Sequence, residues 1–352
     1  MATTGRSAAS TEPDAVSALV DAEFVRVTAA PTGGSVAAAA LVAGACGQRD
    51  VPYQVRVARS APAPDAVDAT HVAVGFDAPA ADAVFAGDAP NEAFEVATEA
   101  GSDPSAVLAF AGALADGGEP SSAVRSAADL SRRPGAGIPT ADLAAGLAHS
   151  TLVHASFSGD EQAAGATLSE LALPPELDES ARRRLASAVA LDATGDATER
   201  AADAVSDVLR PHETPDGPFE TVEGYADVLG ALAFDAPGLG VALALGAADA
   251  PAALDAWKVH ASEAHRVVRA ADPARHSGVV AVDADAAQPT VARLVRDYRS
   301  VEPAVLAVGE DAAALATTDA DARDVLPGGV GTETLAVADA TNDLLETVRG
   351  EL

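Results

Sequence analysis

Apolar and polar positions alternate over Phe24-Val25-Arg26-Val27-Thr28, the two-residue period of a half-buried strand. Pro31-Thr32-Gly33-Gly34 then turns the chain into an Ala-rich helix predicted from Ser35 to about Cys46. Strands are predicted at Tyr53–Val57 and His71–Val74, with a Pro/Ala/Asp connector at Ser60–Asp65, so the first quarter reads as an open α/β sheet. The twenty residues before it are small, polar and aperiodic and are expected to form a loose arm.

Helices dominate the next stretch. Pro90–Glu99 and Pro104–Ala115 both carry proline near a first turn, and Val107, Leu108, Ala111 and Leu114 give the second one an apolar face. Beyond the turn at 131–137, three or four helices run to Leu209, with Asp160 and Asp178 placed as N-caps. Residues 211–218, Pro-His-Glu-Thr-Pro-Asp-Gly-Pro, suit neither helix nor ladder and are expected to be a linker between domains 21–210 and 219–352. After it come a helix over Glu220–Leu232, a strand at Val241–Leu245 and a helix over Pro251–Ala270. A strand at Val279–Val282, a helix over Pro289–Tyr298, strands at Ala304–Val308 and Thr334–Val337 and a closing helix follow. This alternation predicts a smaller α/β domain on a mostly parallel sheet.

The chain of 352 residues carries 53 acidic and 22 basic side chains, a net charge of −31, which excludes a polybasic nucleic-acid coat. Its 49% apolar content separates it from acidic disordered tails and supports real cores. Lys258 is the one lysine, a bias resembling the halophilic surfaces of salt-accumulating cells. Cys46, alone, can form neither an internal disulfide nor a thiolate metal cluster, which fits a reducing cytoplasm. No segment reaches the roughly 18 apolar residues of a membrane span, so a cytoplasmic protein is expected.

Candidate chemistry is sparse. Pro31-Thr32-Gly33-Gly34 sits where a phosphate-cradling turn would, but it lacks the lysine of GxxxxGK[ST] and the spacing of GxGxxG, and a tight structural turn explains it better. His260 and His265, five apart, do not share a helix face as an i, i+4 metal pair would and read as solvated helix residues. His149 and His154 flank Ser150-Thr151, where a nucleophile reading would need an acid partner that the sequence does not locate. Carboxylates are too abundant for proximity to single out a pair. Arginines are more informative: Arg182-Arg183-Arg184 cluster, and Arg293, Arg296 and Arg299 recur every third residue of one helix, a stripe that either contacts phosphates or pairs with surface acids.

A family likeness rests on longer stretches. Pro139-Thr140-Ala141-Asp142-Leu143-Ala144-Ala145-Gly146-Leu147-Ala148-His149-Ser150-Thr151, continuing through Ser158-Gly159-Asp160, resembles archaeal RecJ-like proteins of the DHH phosphoesterase superfamily. Pro237-Gly238-Leu239-Gly240-Val241-Ala242-Leu243-Ala244-Leu245-Gly246 is similar to that family's glycine-flanked strand entering the DHH-associated domain. The likeness spans roughly residues 22 to 350. It implies a two-domain α/β fold, an N-terminal sheet with a helical extension and a smaller C-terminal α/β domain, and metal-assisted phosphodiester cleavage by two Mn²⁺ or Mg²⁺ ions held by clustered Asp and His.

Most of that apparatus is missing. Where the family has Asp-x-Asp-Gly this chain has Pro31-Thr32-Gly33-Gly34, and where a strand should end Asp-x-Gly it has Ala73-Val74-Gly75. No Asp-His-His triplet exists; Asp116 is the one remnant of the four ligand motifs, and the terminal loop reads Gly328-Gly329-Val330 without the family's histidine. Pro, Gly and Ala offer no donor to a hard cation, so no two-metal site and no cofactor are expected. The resemblance then implies a non-catalytic binding subunit in DNA replication or repair. Single-stranded DNA or RNA would be met by Arg293, Arg296, Gly328 and Gly329, and an active RecJ-like paralogue or the GINS complex is a candidate protein partner. Two alternatives stay open: an active single-strand exonuclease or small-phosphoester hydrolase with metal ligands relocated to Asp77, Asp82, Asp88 or Asp116, and a protein-interaction module that touches no nucleic acid.

Overall fold

In a computed structural model, which describes residues 15–61, 69–174, 176–195, 197–215 and 217–352, the opening strand is β1 (Val25–Ala29). It pairs in parallel with β2 (Tyr53–Val57) on one side and β3 (Thr70–Val74) on the other. β4 (Ala83–Phe85) extends the sheet to the order β2-β1-β3-β4. Of the expected loose arm, residues 15–20 form the short helix α1 (Ala15–Val20), held by the buried Leu19; the remainder lies outside the described residues, as does most of the 60–65 connector. β4 was not legible because three residues carry too little period to read.

α2 (Gly33–Gln48) is buried on every side from Gly33 to Ala43, which its alanine run makes feasible: a helix apolar all round belongs inside a layer stack. It packs on the sheet and against α3 (Ala89–Glu99), α4 (Ala106–Ala115) and two later helices, α10 (Val222–Asp235) and α11 (Pro237–Ala244). Residues 241–245, expected as a strand, instead continue α11 to its end and C-cap. Pro237 stands at a helix start where its missing N–H costs nothing, and Gly246 follows the helix with φ +71°, the left-handed conformation glycine tolerates at a helix end.

α5 (Ser122–Ala128) leads to a helical segment made of α6 (Leu143–His149), α7 (Glu161–Glu170), α8 (Glu179–Thr194) and α9 (Arg200–Ser206). Asp160 and Asp178 cap α7 and α8 through their carboxylates, as the sequence predicts. α12 (Ala250–Ala270) then crosses to the second sheet.

That sheet has six strands in the order β5-β6-β7-β8-β10-β9: β5 (Ala274–His276), β6 (Val279–Asp283), β7 (Ala304–Val308), β8 (Ala312–Thr317), β9 (Val330–Gly331) and β10 (Leu335–Asp339). The expectation of a mostly parallel sheet is corrected here: β6 and β7, joined by the crossover helix α13 (Gln288–Tyr298), are the parallel pair, and the other neighbours are antiparallel. Gly309-Glu310-Asp311 closes a tight β7–β8 hairpin, with Gly309 N–H donating to Ala312 O at 2.9 Å. β8 escaped the sequence reading because Ala-Ala-Ala-Leu-Ala-Thr has low strand propensity, and burial on both faces overrides it. Val280, Val282, Val305 and Ala307 face α13, while Val279, Ala304 and Leu306 face α14 (Ala322–Val325) and α15 (Leu344–Glu351), the strict alternation of a two-faced sheet.

The two larger cores do not follow the chain order. One joins residues 19–130 to Phe219–Trp257; the other joins residues 136–209 to residues 264–337. The expected break at 211–218 falls inside this exchange. His212 bridges Arg132, Glu213 bridges Thr221, and His212 donates its N–H to the Glu223 carboxylate at 2.9 Å, so the proline-rich segment is a fastened strap. No helix among the described residues is long and apolar enough to cross a membrane.

Candidate functional site at the carboxyl edge of the first sheet

The three stretches compared with the family's ligand motifs, 31–34, 73–75 and Asp116, converge. β1 ends at Ala29, and Thr32 caps α2, its hydroxyl accepting from Ser35 N–H at 3.1 Å. β3 ends beside it, with Val74 O accepting from Ala30 N–H at 2.8 Å. Gly75 then takes φ +76°, and a Cβ there would collide with Ser35 Oγ and lie 2.8 Å from Ala30 Cβ, so only glycine fits. Asp116, the C-cap of α4, reaches the same point.

Asp116 does not face open space. Its Oδ1 accepts from Gly34 N–H at 2.8 Å and its Oδ2 from the Thr32 hydroxyl at 3.1 Å, which seats the carboxylate on the N-terminal turn of α2, where free N–H groups and the helix dipole favour an anion. Burial nevertheless dominates and pushes its pKa from 3.8 up to about 6. The glycines at 33 and 34 make this contact possible: a Cβ on Gly34 would fall on the Asp116 carboxylate, and one on Gly33 would lie 2.6 Å from Ala115 Cβ. The Pro-Thr-Gly-Gly turn is therefore built to receive the protein's own carboxylate.

The rest of this edge is apolar. Ala30, Ala73, Phe76 and Ala78 form a small buried cluster, and Val330, from the Gly328-Gly329-Val330 loop of the second sheet, packs against it. Gly328 has φ +69°, and a Cβ on Gly329 would lie 2.7 Å from Leu326 O, so both glycines serve the tight turn between α14 and β9. Arg59–Asp339 (2.8 Å) and the Arg323 donation to Ala86 O (3.5 Å) also tie the second sheet to the first.

The alternative ligands are occupied or apart. Asp82 accepts from His71 N–H at 2.8 Å, Asp88 accepts from Asn91 at 2.7 Å at the start of α3, and Asp77 is exposed. Among the described residues no group of three or more His, Cys, Asp and Glu is gathered to hold a metal ion. One carboxylate committed to two internal donors, amid alanine, phenylalanine and valine, does not fit a pair of hard divalent cations that require about six oxygen ligands each.

The two candidate arginines make contacts within the protein, and the pairing of Arg296 with an acid is one of the two outcomes the stripe allowed. Arg296 grips Asp297 through two nitrogens (2.7 and 3.1 Å) and donates to Thr317 O and Thr334 O. Arg293 donates to Thr151 O at 2.9 Å. Three-residue spacing fixed their helix face but not whether that face met solvent; α13 is a crossover helix with the second sheet on one side and the 150–157 segment nearby.

A polar junction that sequence reasoning missed lies behind Arg293. Asp227, buried in α10, accepts from Thr151 N–H at 2.9 Å and from the Thr151 hydroxyl, and its carboxyl is pushed up by burial, with these donors and Arg293 opposing. This is the acid that Ser150-Thr151 lacked in sequence, yet it holds the loop rather than a histidine. His260 and His265, expected in solvent, are both buried. His260 links Asp235 (2.6 Å) to Thr290 (2.8 Å), and His265 sits between Ser150 O (3.0 Å) and His154 Nδ1 (3.1 Å). Asp235–His260–Thr290 has the order of a nucleophile triad, but Thr290 is 8% exposed and is reached through the buried His260 from an Asp235 at the surface, which makes the set a cross-link between α10, α12 and α13. A signal existed: Glu223 and Asp227, four apart, are the acids within an α10 that is otherwise apolar up to Asp235.

With this geometry established, the comparisons place the chain. A family model described as the C-terminal domain of uncharacterized protein rrnAC1427 matches residues 271–350, the second sheet and its helices. Over 336 residues the chain is 46% identical to uncharacterized protein rrnAC1427 of Haloarcula marismortui, covering 92% of this chain and 89% of that protein. The chain belongs to the rrnAC1427 family. Among solved structures, it is similar to a crystal structure of exonuclease RecJ bound to manganese (TM-score 0.46, 11% identity, 96% of this chain and 92% of that one). It is also similar to RecJ from Thermus thermophilus in complex with Mn²⁺ (TM-score 0.46, 13% identity, 96% of this chain), of which it spans 53%.

Proposed function

We propose that this member of the rrnAC1427 family is a RecJ-like scaffold without a metal centre, acting as a binding subunit in DNA replication or repair. Its partner is single-stranded DNA or RNA, or a protein such as an active RecJ-like paralogue or GINS. The observation that carries this reading is the fate of Asp116. The one carboxylate at the three motif positions found in the chain is bonded to Gly34 and Thr32 at the start of α2, and the Gly328–Val330 loop closes over alanine and phenylalanine where ligands would have to stand. A side chain that must shed two internal hydrogen bonds to reach a cation is a structural part.

The test is a cleavage assay on end-labelled single-stranded DNA with Mn²⁺ at high KCl, run beside Asp116→Ala. The expected result is equal, background-level cleavage by both proteins. Turnover by the native chain that disappears in Asp116→Ala overturns the proposal and restores the exonuclease reading.

A further inference from the structure

Arg182-Arg183-Arg184 is the densest basic run of the chain, and nothing at the sheet edge uses it. α8 places two of these guanidiniums beside the 131–134 turn, where a cavity of about 880 Å³ is lined by Arg132, Arg133, Arg182, Arg183 and Arg210. That is the volume of a small-molecule pocket. Two carboxylates, Asp178 and Glu179, share the lining. The lining thus holds five arginines against two carboxylates, whereas the whole chain carries 53 acids against 22 bases; with the adjoining Glu213, Glu220 and Asp207 the two signs balance. The negative excess of the chain is locally cancelled.

Most of the donors at this cavity are uncommitted. Arg133 Nε and Arg182 Nη1 both meet Glu213, at 3.0 and 3.4 Å, Arg183 pairs with Glu179, and Arg132 Nε donates to Arg210 O at 2.6 Å. The Arg210 side chain makes no hydrogen bond or ion pair among the described residues. A guanidinium offers five N–H groups in a planar fork that matches phosphate oxygens, so each keeps several free. Glu213 occupies the position between two of them that a phosphate would take. No aromatic side chain lines the cavity, so nothing there would stack a base.

We propose that this cavity binds a phosphate-rich anion, recognised through its phosphates, with Glu213 as the positioning residue that holds Arg133 and Arg182 apart from solvent acids until the anion replaces it. Two sources share this chemistry, a free polyphosphate-type anion and the backbone of a single strand. The site uses none of the residues at the Asp116 edge, so its failure and the failure of the binding-subunit reading are separate results.

The test titrates the full chain with inorganic triphosphate by calorimetry and with a fluorescent single-stranded dT oligonucleotide by anisotropy, from the lowest KCl that keeps the protein folded up to molar salt. Arg133→Ala with Arg182→Ala should weaken binding at least about tenfold, the loss expected for charge-assisted hydrogen bonds. Glu213→Gln should tighten it, and Arg349→Ala, outside the cavity, should leave it unchanged. Triphosphate binding that follows this order assigns the free anion, and oligonucleotide binding alone that follows it assigns the strand. Absence of both, or binding indifferent to the arginine pair and to Glu213→Gln while circular dichroism shows folded variants, overturns the proposal.

Discussion

Two aspartates, the half-buried Asp116 and the buried Asp227, sit at two polar points of an otherwise alanine-rich fold, and they are held in different ways. Asp116 is met by one backbone N–H and one hydroxyl at a helix start, with no cation beside it among the described residues. Asp227 is met by the N–H and hydroxyl of Thr151, with Arg293 bonded to the same threonine behind it. The contrast teaches that a carboxylate at a motif position is not thereby a ligand, and that a carboxylate at no motif position can be the more deeply anchored group. Asp116 closes a helix end; Asp227 fastens the 150–157 segment to both cores.

The largest effect expected from breaking this contrast is at Asp227. Asp227→Ala leaves the Thr151 N–H and hydroxyl without their acceptor in the interior, and unfolding in denaturant should show a loss of about 2–6 kcal/mol, roughly 1–3 for each buried donor left unmet. Gly34→Ala comes next. Its Cβ would strike the Asp116 carboxylate, and separating α2 from α4 should lower stability by about 1–3 kcal/mol, the usual range for overpacking. Asp116→Ala should partly rescue that variant, because it removes the atom that is struck.

Asp116→Asn sharpens the comparison with the opposite sign. The folded protein holds the Asp116 proton up to about pH 6 and the unfolded chain only to about 3.8, so folding favours the protonated form. Stability from this group therefore falls as pH rises from about 4 to about 6 and stays low above it. The asparagine, which keeps an acceptor for Gly34 and never ionises, should raise stability above pH 6 by on the order of 2 kcal/mol and give no advantage near pH 4. Thermal melts across that range check both ends.

The smallest effect is on the histidine pair. Burial, with Arg269 and Arg299 nearby, lowers His154 from 6.5 to about 4, and burial with His154 lowers His265 to about 3. Both fold as neutral rings, so their contribution is present above pH 6.5 and is lost as pH falls toward those values, the reverse of Asp116. His154→Phe keeps a ring against His265 and Tyr298 and removes one titrating group, so the acid-side decline in melting temperature should become shallower.

Much of the fold was legible because it rests on local pattern. The strands at 53–57 and 304–308 coincide with the sequence reading, and the aspartate caps of α7 and α8 followed from residue type alone. Apart from the shortest elements, two missed ones share one cause. Ala312–Thr317 and Pro237–Ala244 are both small and apolar almost throughout, so neither shows a polar face, and periodicity cannot tell a doubly buried strand from a buried helix. The candidate site was legible as an absence of donors. The sequence could not show that Asp116 folds onto Gly34, that Arg293 and Arg296 make contacts within the protein, or that Arg132, Arg133, Arg182, Arg183 and Arg210 gather, because each depends on segments that lie far apart along the chain.

By itself the sequence determined which groups exist to do chemistry: alanine, glycine and proline at the motif positions have no side-chain lone pair to offer a cation, whatever the fold does with them. Tertiary structure alone decided which charges remain available, because that depends on the partner each one meets. The exchange of segments between the two larger cores brought Thr151 to Asp227 and tied up that carboxyl in the interior, whereas α8 lies along the 131–134 turn and leaves Arg182 and Arg133 at an open cavity.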